Sequence, residues 1–272
     1  SVELLDEWYK KYHKKENLIN FELGFHAEYT TKKEILEGIA DLAEKYKAPV
    51  YTHNSESESE VAQCIERTKV TPTVYMDRLG IFNYGGGFYH CVHMTQNDLD
   101  IVKEHNISVI TNPASNLKLA SGIAPINHML KEGINLAIGT DGPASNNCLD
   151  MFREMFLVTA LAKYRENDAS AVDALEVLKM ATIGGAKAMN LTDCDVLAEG
   201  KEADIIMIDL NQPNMQPIHN IQKNLVYSGS KQNVKLTMVA GKILYENGEF
   251  FIGTDAYKIY EKANDIAERI VK

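Results

Sequence analysis

Residues 49–56, with the sequence PVYTHNSE, join a short apolar run to a polar end that contains a histidine and a glutamate. Four other short apolar runs also end in polar residues and lie beside stretches with helical periodicity. Short apolar runs of this kind are typical of buried parallel strands. We therefore predict five strands, at residues 19–25, 49–52, 87–92, 107–111 and 134–138.

Amphipathic stretches between and after these runs predict helices at residues 32–46, 96–104, 124–131, 149–162, 171–180 and 184–189. Strands that alternate with helical crossovers form a parallel sheet, so the predicted fold class is α/β. Folds of this kind hold their chemistry in the loops that follow the strand ends.

The pattern changes after about residue 192, where short apolar runs and tight turns replace the alternation. Strands are predicted at residues 205–208, 224–227, 234–239 and 243–245, followed by a closing helix at residues 256–271. The predicted domains are therefore residues 1–192, with the parallel sheet, and residues 193–272, with a small β unit and a C-terminal helix.

Composition argues against several classes of partner. The 272 residues carry a net charge of −10, which disfavours binding to nucleic acids or to anionic membranes. No apolar run approaches the length of a membrane span. The four cysteines are scattered without a Cys-x-x-Cys pair, so we expect free thiols in a reducing cytoplasm.

Ionisable side chains follow four of the five predicted strands. The first strand leads to His26, the second to His53 and Glu56, the third to His90, and the fifth to Asp141. Because the carboxyl ends of parallel strands meet at one face, we expect these side chains to converge. Imidazole nitrogens and carboxylate oxygens are the ligands that a catalytic zinc or iron uses.

Each of these residues also has a structural interpretation. A histidine at a strand end is often a hydrogen-bonded core or rim residue, and we keep that interpretation for His93, His105, His128 and His219. Glu56 fits the first turn of a helix, where a carboxylate is favourable, and Asp141 fits a helix N-cap. The functional interpretation depends on the four strand ends taken together.

Five segments around these positions resemble the amidohydrolase superfamily, specifically the 5-methylthioadenosine/S-adenosylhomocysteine deaminases, and share much with the related triazine chlorohydrolases. They are residues 24–29 (GFHAEY), 53–56 (HNSE), 90–93 (HCVH), 112–122 (NPASNLKLASG) and 139–147 (GTDGPASNN). The resemblance extends from about residue 15 to about residue 250. The family usually has proline at the position of Glu28 and alanine at that of Tyr89.

The resemblance implies a distorted (β/α)8 barrel with a small β-sandwich, of which this chain would hold the equivalents of strands 4–8. It implies that His53 and Asp141 are metal ligands, with Zn²⁺ as the metal, or Fe²⁺ or another divalent ion. Glu56, His90 and Asp141 would be catalytic. A purine nucleoside substrate would contact His26, Glu56, Asp141 and Ser145, and would be hydrolysed at C6 of the ring with release of ammonia.

One element of the family pattern is missing. The family takes two further metal ligands from a His-x-His pair on its first strand, and no two of the eight histidines here are separated by one residue. We therefore expect an N-terminally truncated member that is inactive alone. Its open sheet edges would favour a homo-oligomer or a complementing N-terminal segment.

Three functions stay open at this stage. The first is a deaminase of adenosine-type nucleosides. The second is a chlorohydrolase-like or guanine-type aminohydrolase, which the motifs above do not separate from the first. The third is a non-catalytic remnant that acts as a binding or assembly module.

Overall fold

Five parallel strands form the central sheet of the first of two units, Ser1–Leu191. The computed structural model describes residues 1–16 and 18–271. The strands are β1 (Leu23–Ala27), β2 (Val50–Asn54), β3 (Gly86–His90), β4 (Ile107–Thr111) and β5 (Leu136–Ile138), and they lie in that order in the sheet. This sequential parallel order, with helical crossovers, confirms the predicted fold class.

Eleven α-helices are described in this unit. They are α1 (Val2–Tyr12), α2 (Lys33–Tyr46), α3 (Glu58–Thr68), α4 (Pro72–Arg78), α5 (Gln96–Glu104), α6 (Pro113–Lys118), α7 (Ile126–Lys131), α8 (Pro143–Asn146), α9 (Met151–Glu166), α10 (Ala174–Lys179) and α11 (Gly185–Ala188). A π-helical turn, Met180–Gly184, joins α10 to α11.

The core of this unit lies between the sheet and its helices. Val50, Phe88 and Val109 on three adjacent strands are fully buried, and the Phe88 ring meets that of Phe82 edge-on at 4.7 Å. Strands β2 and β3 approach so closely at Gly86 that a Cβ there would lie 1.8 Å from the Val50 carbonyl oxygen. Gly86 also has a φ of 141°, a conformation that side chains other than glycine rarely adopt.

The predicted first strand, residues 19–25, was wrong in its bounds. The structure begins β1 at Leu23 and continues it to Ala27. Ile19 instead makes an isolated bridge to Glu16, and the Phe21 ring packs edge-on against Trp8 and Tyr9 of α1. Aromatic packing on the N-terminal helix therefore takes this segment out of the sheet.

An ion pair between a buried carboxylate and a half-exposed arginine links the turn after β1 to α3. Glu28, at the position where the family usually has proline, is 1% exposed and accepts two hydrogen bonds from Arg67, at 2.8 and 2.9 Å. Bidentate contacts of this kind are among the stronger polar interactions in proteins. The pair fixes α3 against the segment that follows His26.

We expect Arg67→Met to lower the free energy of unfolding by about 1–3 kcal/mol, because the buried Glu28 carboxylate would lose both donors. Urea unfolding of the two proteins measures the difference. Lys33→Met is the control, since it removes an exposed ion pair with Glu37 and such pairs contribute little. Equal decreases in the free energy of unfolding would show that the Glu28–Arg67 pair stabilises the fold no more than an exposed ion pair does.

The second unit, Thr192–Lys272, contains a four-stranded antiparallel sheet. Its strands are β6 (Ile205–Ile208), β7 (Val234–Val239), β8 (Lys242–Glu246) and β9 (Glu249–Phe250), and its helices are α12 (Ile221–Tyr227) and α13 (Ala256–Val271). Residues 240–241 and 247–248 form the hairpin turns with positive φ angles, as their sequences predict.

The strand predicted at residues 224–227 was wrong, because these residues end helix α12. The Asn220 side chain accepts a hydrogen bond from the Lys223 amide and caps that helix, so a local polar contact outweighs a short apolar run. Among the described residues, no helix combines the length and apolar character needed to cross a bilayer.

Candidate active site

Left-handed backbone conformations occur at the carboxyl ends of three strands. Ser55 follows β2 with a φ of 50°, His90 ends β3 with a φ of 72°, and Asp141 follows β5 with a φ of 62°. Such conformations cost about 1–3 kcal/mol each in residues other than glycine, and they cluster at functional sites. The three left-handed conformations therefore indicate that this end of the sheet is a candidate functional site.

Three histidine rings lie side by side across β1, β2 and β3. The ring centroids of His26 and His53 are 4.9 Å apart, and those of His53 and His90 are 5.3 Å apart. Nδ1 of His53 lies 2.6 Å from the His26 carbonyl oxygen, which can only accept a hydrogen bond. The ring proton is therefore on Nδ1, and Nε2 keeps the lone pair that a metal ligand needs.

Glu56 lies in the loop between β2 and α3 and faces His90. Its Oε1 accepts a hydrogen bond of 2.9 Å from the Ser121 hydroxyl, and its Oε2 is 3.7 Å from Nε2 of His90. The buried Glu60 carboxylate holds the loop by accepting hydrogen bonds from the backbone amides of Ser55 and Glu56. Burial raises the pKa of Glu60, although these amide contacts oppose the shift.

His90 is 1% exposed and has one satisfied and one unsatisfied nitrogen. Nδ1 lies 2.7 Å from Oδ1 of Asn116, whereas Nε2 is buried with no hydrogen-bond partner in the described part of the chain. A buried polar atom without a partner costs about 1–3 kcal/mol, so native structures rarely keep one without a reason. Nε2 is directed towards Glu56, where a ligand would satisfy it.

Asp141 is held on both carboxylate oxygens. The Ser115 hydroxyl donates to Oδ2 at 2.6 Å, and the Gly142 amide donates to Oδ1 at 2.6 Å. Partial burial raises the pKa of Asp141, but hydrogen bonds from Ser115, Ser145 and Gly142 outweigh it and lower the pKa overall. The carboxylate is therefore ionised at neutral pH, as a metal ligand must be.

The structure brings His26, His53, Glu56 and His90 into one cluster. Asp141 is connected to this cluster through the segment after β4, whose Ser115 donates to Asp141 and whose Asn116 contacts His90. Ser145 lies beside Asp141, and its hydroxyl donates to the Gly142 carbonyl at 3.1 Å. Within residues 1–16 and 18–271, no group of three or more histidine, cysteine, aspartate or glutamate side chains is arranged to hold a metal ion.

Sequence reasoning missed four residues that hold this cluster in place. Ser115, Asn116 and Ser121 lie in the 112–122 segment, where the family resemblance predicts no site residue, and Glu60 lies in α3. The sequence could have indicated these residues as polar side chains near strand ends. Their hydrogen-bond partners depend on the tertiary fold and could not be predicted.

The amidohydrolase family model matches residues 1–244 of this chain. The chain belongs to the amidohydrolase family. This amidohydrolase is 40% identical over 260 residues to a 5-methylthioadenosine/S-adenosylhomocysteine deaminase from Caldanaerobacter subterraneus subsp. tengcongensis, covering 95% of this chain and 60% of the relative. It is 36% identical over 262 residues to a 5'-deoxyadenosine deaminase from Methanopyrus kandleri, covering 96% of this chain and 61% of the relative.

Solved structures give the same family likeness. An adenosine deaminase from Xanthomonas campestris with bound zinc superposes with a TM-score of 0.91 at 36% identity, covering 98% of this amidohydrolase and 60% of that protein. An atrazine chlorohydrolase from Arthrobacter aurescens complexed with zinc gives 0.87 at 25% identity, covering 97% and 59%. The chain thus spans about 60% of the length of the relatives that it matches.

Proposed function

We propose that this amidohydrolase contributes the catalytic side chains for metal-dependent hydrolytic deamination of adenosine-type nucleosides. The observation that carries the proposal is the position of His90 Nε2, which lies 3.7 Å from Oε2 of Glu56 and is buried with no hydrogen-bond partner among the described residues. The similarity to deaminases of 5-methylthioadenosine, S-adenosylhomocysteine and 5'-deoxyadenosine supports the substrate class.

The donor set fits part of a divalent metal site. His53 has its Nδ1 proton directed to a carbonyl oxygen, which leaves Nε2 as a donor, and Asp141 is ionised. These two residues would hold the ion, which we propose to be zinc. A bound divalent metal supplies acidity, lowering the pKa of water from about 15.7 to about 7.

The chain's own residues would then move protons and orient the substrate. Glu56, held by Ser121, would protonate the ring nitrogen next to C6 of the purine and then help the amine to leave as ammonia. Asp141 would accept a proton from the attacking water, and His90 would stabilise the charge that develops at C6. His26, exposed at the rim, and Ser145, beside Asp141, would contact the nucleoside.

The test uses a reconstituted enzyme, defined as the 272-residue chain joined to the part of the Caldanaerobacter relative that this chain does not match. We expect it to release ammonia from 5-methylthioadenosine, S-adenosylhomocysteine, 5'-deoxyadenosine or adenosine when zinc is supplied. Chloride release from atrazine without deamination would favour the chlorohydrolase alternative, which the 25% identity to the Arthrobacter enzyme supports. No turnover of any compound would favour a binding or assembly module.

We expect the 272-residue polypeptide alone to bind zinc weakly and to turn over little substrate. A catalytic zinc normally has three protein ligands, and the proposed donors here are His53 and Asp141. Metal analysis after gel filtration and an ammonia assay measure both properties. One tightly bound zinc ion per polypeptide, with deamination at the rate of the reconstituted enzyme, would contradict this expectation.

We also propose that the sheet edges at β1 and β5 pair with another chain, either a second copy or a complementing N-terminal segment. Each of these strands has one neighbour in the sheet, and unpaired strand edges favour association. A cytoplasmic location is proposed from the four free thiols. Sedimentation of the purified chain, alone and with the segment added, tests the association.

A further inference from the structure

The segment that follows β4 contacts all three proposed catalytic residues. Ser115 donates to Asp141 at 2.6 Å, Ser121 donates to Glu56 at 2.9 Å, and Asn116 lies 2.7 Å from His90. The segment therefore acts on three strand ends at once, although β4 itself ends in no predicted catalytic residue.

The contact between Asn116 and His90 fixes the position of a proton. Asn116 is 2% exposed and His90 is 1% exposed, so water does not compete for their hydrogen bond. The atom of Asn116 that faces Nδ1 is the carbonyl oxygen Oδ1, which accepts and cannot donate. In a neutral ring the proton must then be on Nδ1, and Nε2 carries the lone pair.

We propose that Asn116 is a positioning residue that holds neutral His90 in the Nδ1–H tautomer, so that Nε2 presents a lone pair to the site beside Glu56. This replaces the charge-stabilising role given to His90 above, because a lone pair on Nε2 accepts a proton or a hydrogen bond and cannot donate one. In the opposite tautomer Nε2 would donate towards Oε2 of Glu56. The catalytic consequence rests on the proposed function, whereas the tautomer is a property of the chain itself.

Several contacts hold the backbone around Asn116 independently of His90. The backbone amide of Asn116 donates to the Asn112 carbonyl, and the backbone amide of Ala114 donates to the buried Glu154 carboxylate at 3.0 Å. At the other end of the segment, Nε2 of His93 bonds to the Ser121 carbonyl at 2.7 Å. These contacts fix the backbone of the segment from which the Asn116 side chain reaches His90.

Nitrogen NMR of the histidine-labelled 272-residue chain tests the tautomer directly. At about pH 8, where an ordinary histidine is neutral, the His90 signal, assigned by its loss in His90→Gln, should show a protonated Nδ1 and an unprotonated Nε2. Asn116→Leu should abolish this preference, and Asn116→Asp, which keeps an oxygen at the same place, should keep Nδ1 protonated. The control Asn233→Leu changes an equally buried asparagine of the second unit, whose side chain donates to the Asp209 carbonyl, and should leave the His90 signal unchanged.

Kinetics of the reconstituted enzyme test the consequence. We expect Asn116→Leu to lower kcat about 10–100-fold, with KM and zinc content unchanged, and Asn116→Asp to recover most of the rate. A protonated Nε2 in the wild-type chain would overturn the proposal, as would an unchanged tautomer in Asn116→Leu or a changed one in Asn233→Leu. If the wild-type reconstituted enzyme fails to deaminate, the proposed function fails, while the NMR result still decides the tautomer.

Discussion

Replacing Glu56 by glutamine should lower kcat of the reconstituted enzyme for 5-methylthioadenosine by about 10²–10⁴-fold, the contribution typical of general acid–base catalysis. The amide keeps the acceptor for the Ser121 hydroxyl but cannot carry the proton to the purine ring. Because shape and contacts are kept, KM, zinc content and the unfolding temperature should stay close to the wild-type values. Steady-state kinetics and calorimetry measure these quantities.

Glu58→Gln is the matched control, since Glu58 is an exposed carboxylate two residues further on, at the start of α3. We expect its kinetics to equal those of the wild type. If Glu56→Gln retains full kcat, Glu56 is not the proton shuttle, and the proposed mechanism is wrong at its central step.

Phe88→Ala should lower the free energy of unfolding by about 3–5 kcal/mol, because a fully buried phenylalanine is replaced by a cavity. Phe88 lies in the middle strand of the sheet, two residues before His90, and packs edge-on against Phe82. Urea unfolding followed by circular dichroism measures the change in the 272-residue chain and requires no catalytic activity.

The control for this change is Phe156→Ala, which truncates a side chain that is 45% exposed on α9. We expect that variant to lose much less stability. Similar losses of stability in the two variants would mean that β3 is not at the centre of the core. The position of His90 at the end of β3 would then not be explained by the packing of that strand.

The sequence was sufficient to predict the parallel sheet because its strands are short apolar runs that alternate with helices, and two of them, β4 and β5, are buried on both faces. Strand β4 and helices α5 and α13 lie at the predicted residues, since their apolar runs and caps agree with the fold. Helix α3 was missed, because its capping box at Ser57 and Glu60 follows directly on the Glu56 motif. The bounds of β1 depend on aromatic packing against α1, a contact between distant elements that periodicity does not reveal.

The candidate site could be predicted only in outline. The positions of His53, Glu56, His90 and Asp141 follow from one rule, that polar residues at the ends of parallel strands share a face. The hydrogen bonds that orient these side chains come from Ser115, Asn116 and Ser121, and they depend on how α6 lies against the sheet. The π-helical turn Met180–Gly184 and the left-handed turns at Ser55, His90 and Asp141 likewise depend on tertiary contacts rather than on local propensity.

Zinc stoichiometry tests the metal site most directly. Metal analysis of the reconstituted enzyme should find about one ion per chain, as in a single catalytic site. His53→Ala and Asp141→Asn should each lose that ion, whereas Asp150→Asn, at the N-cap of α9, should keep it. An ion retained at full occupancy in either ligand variant would mean that these two strand ends do not share a metal, contradicting the account.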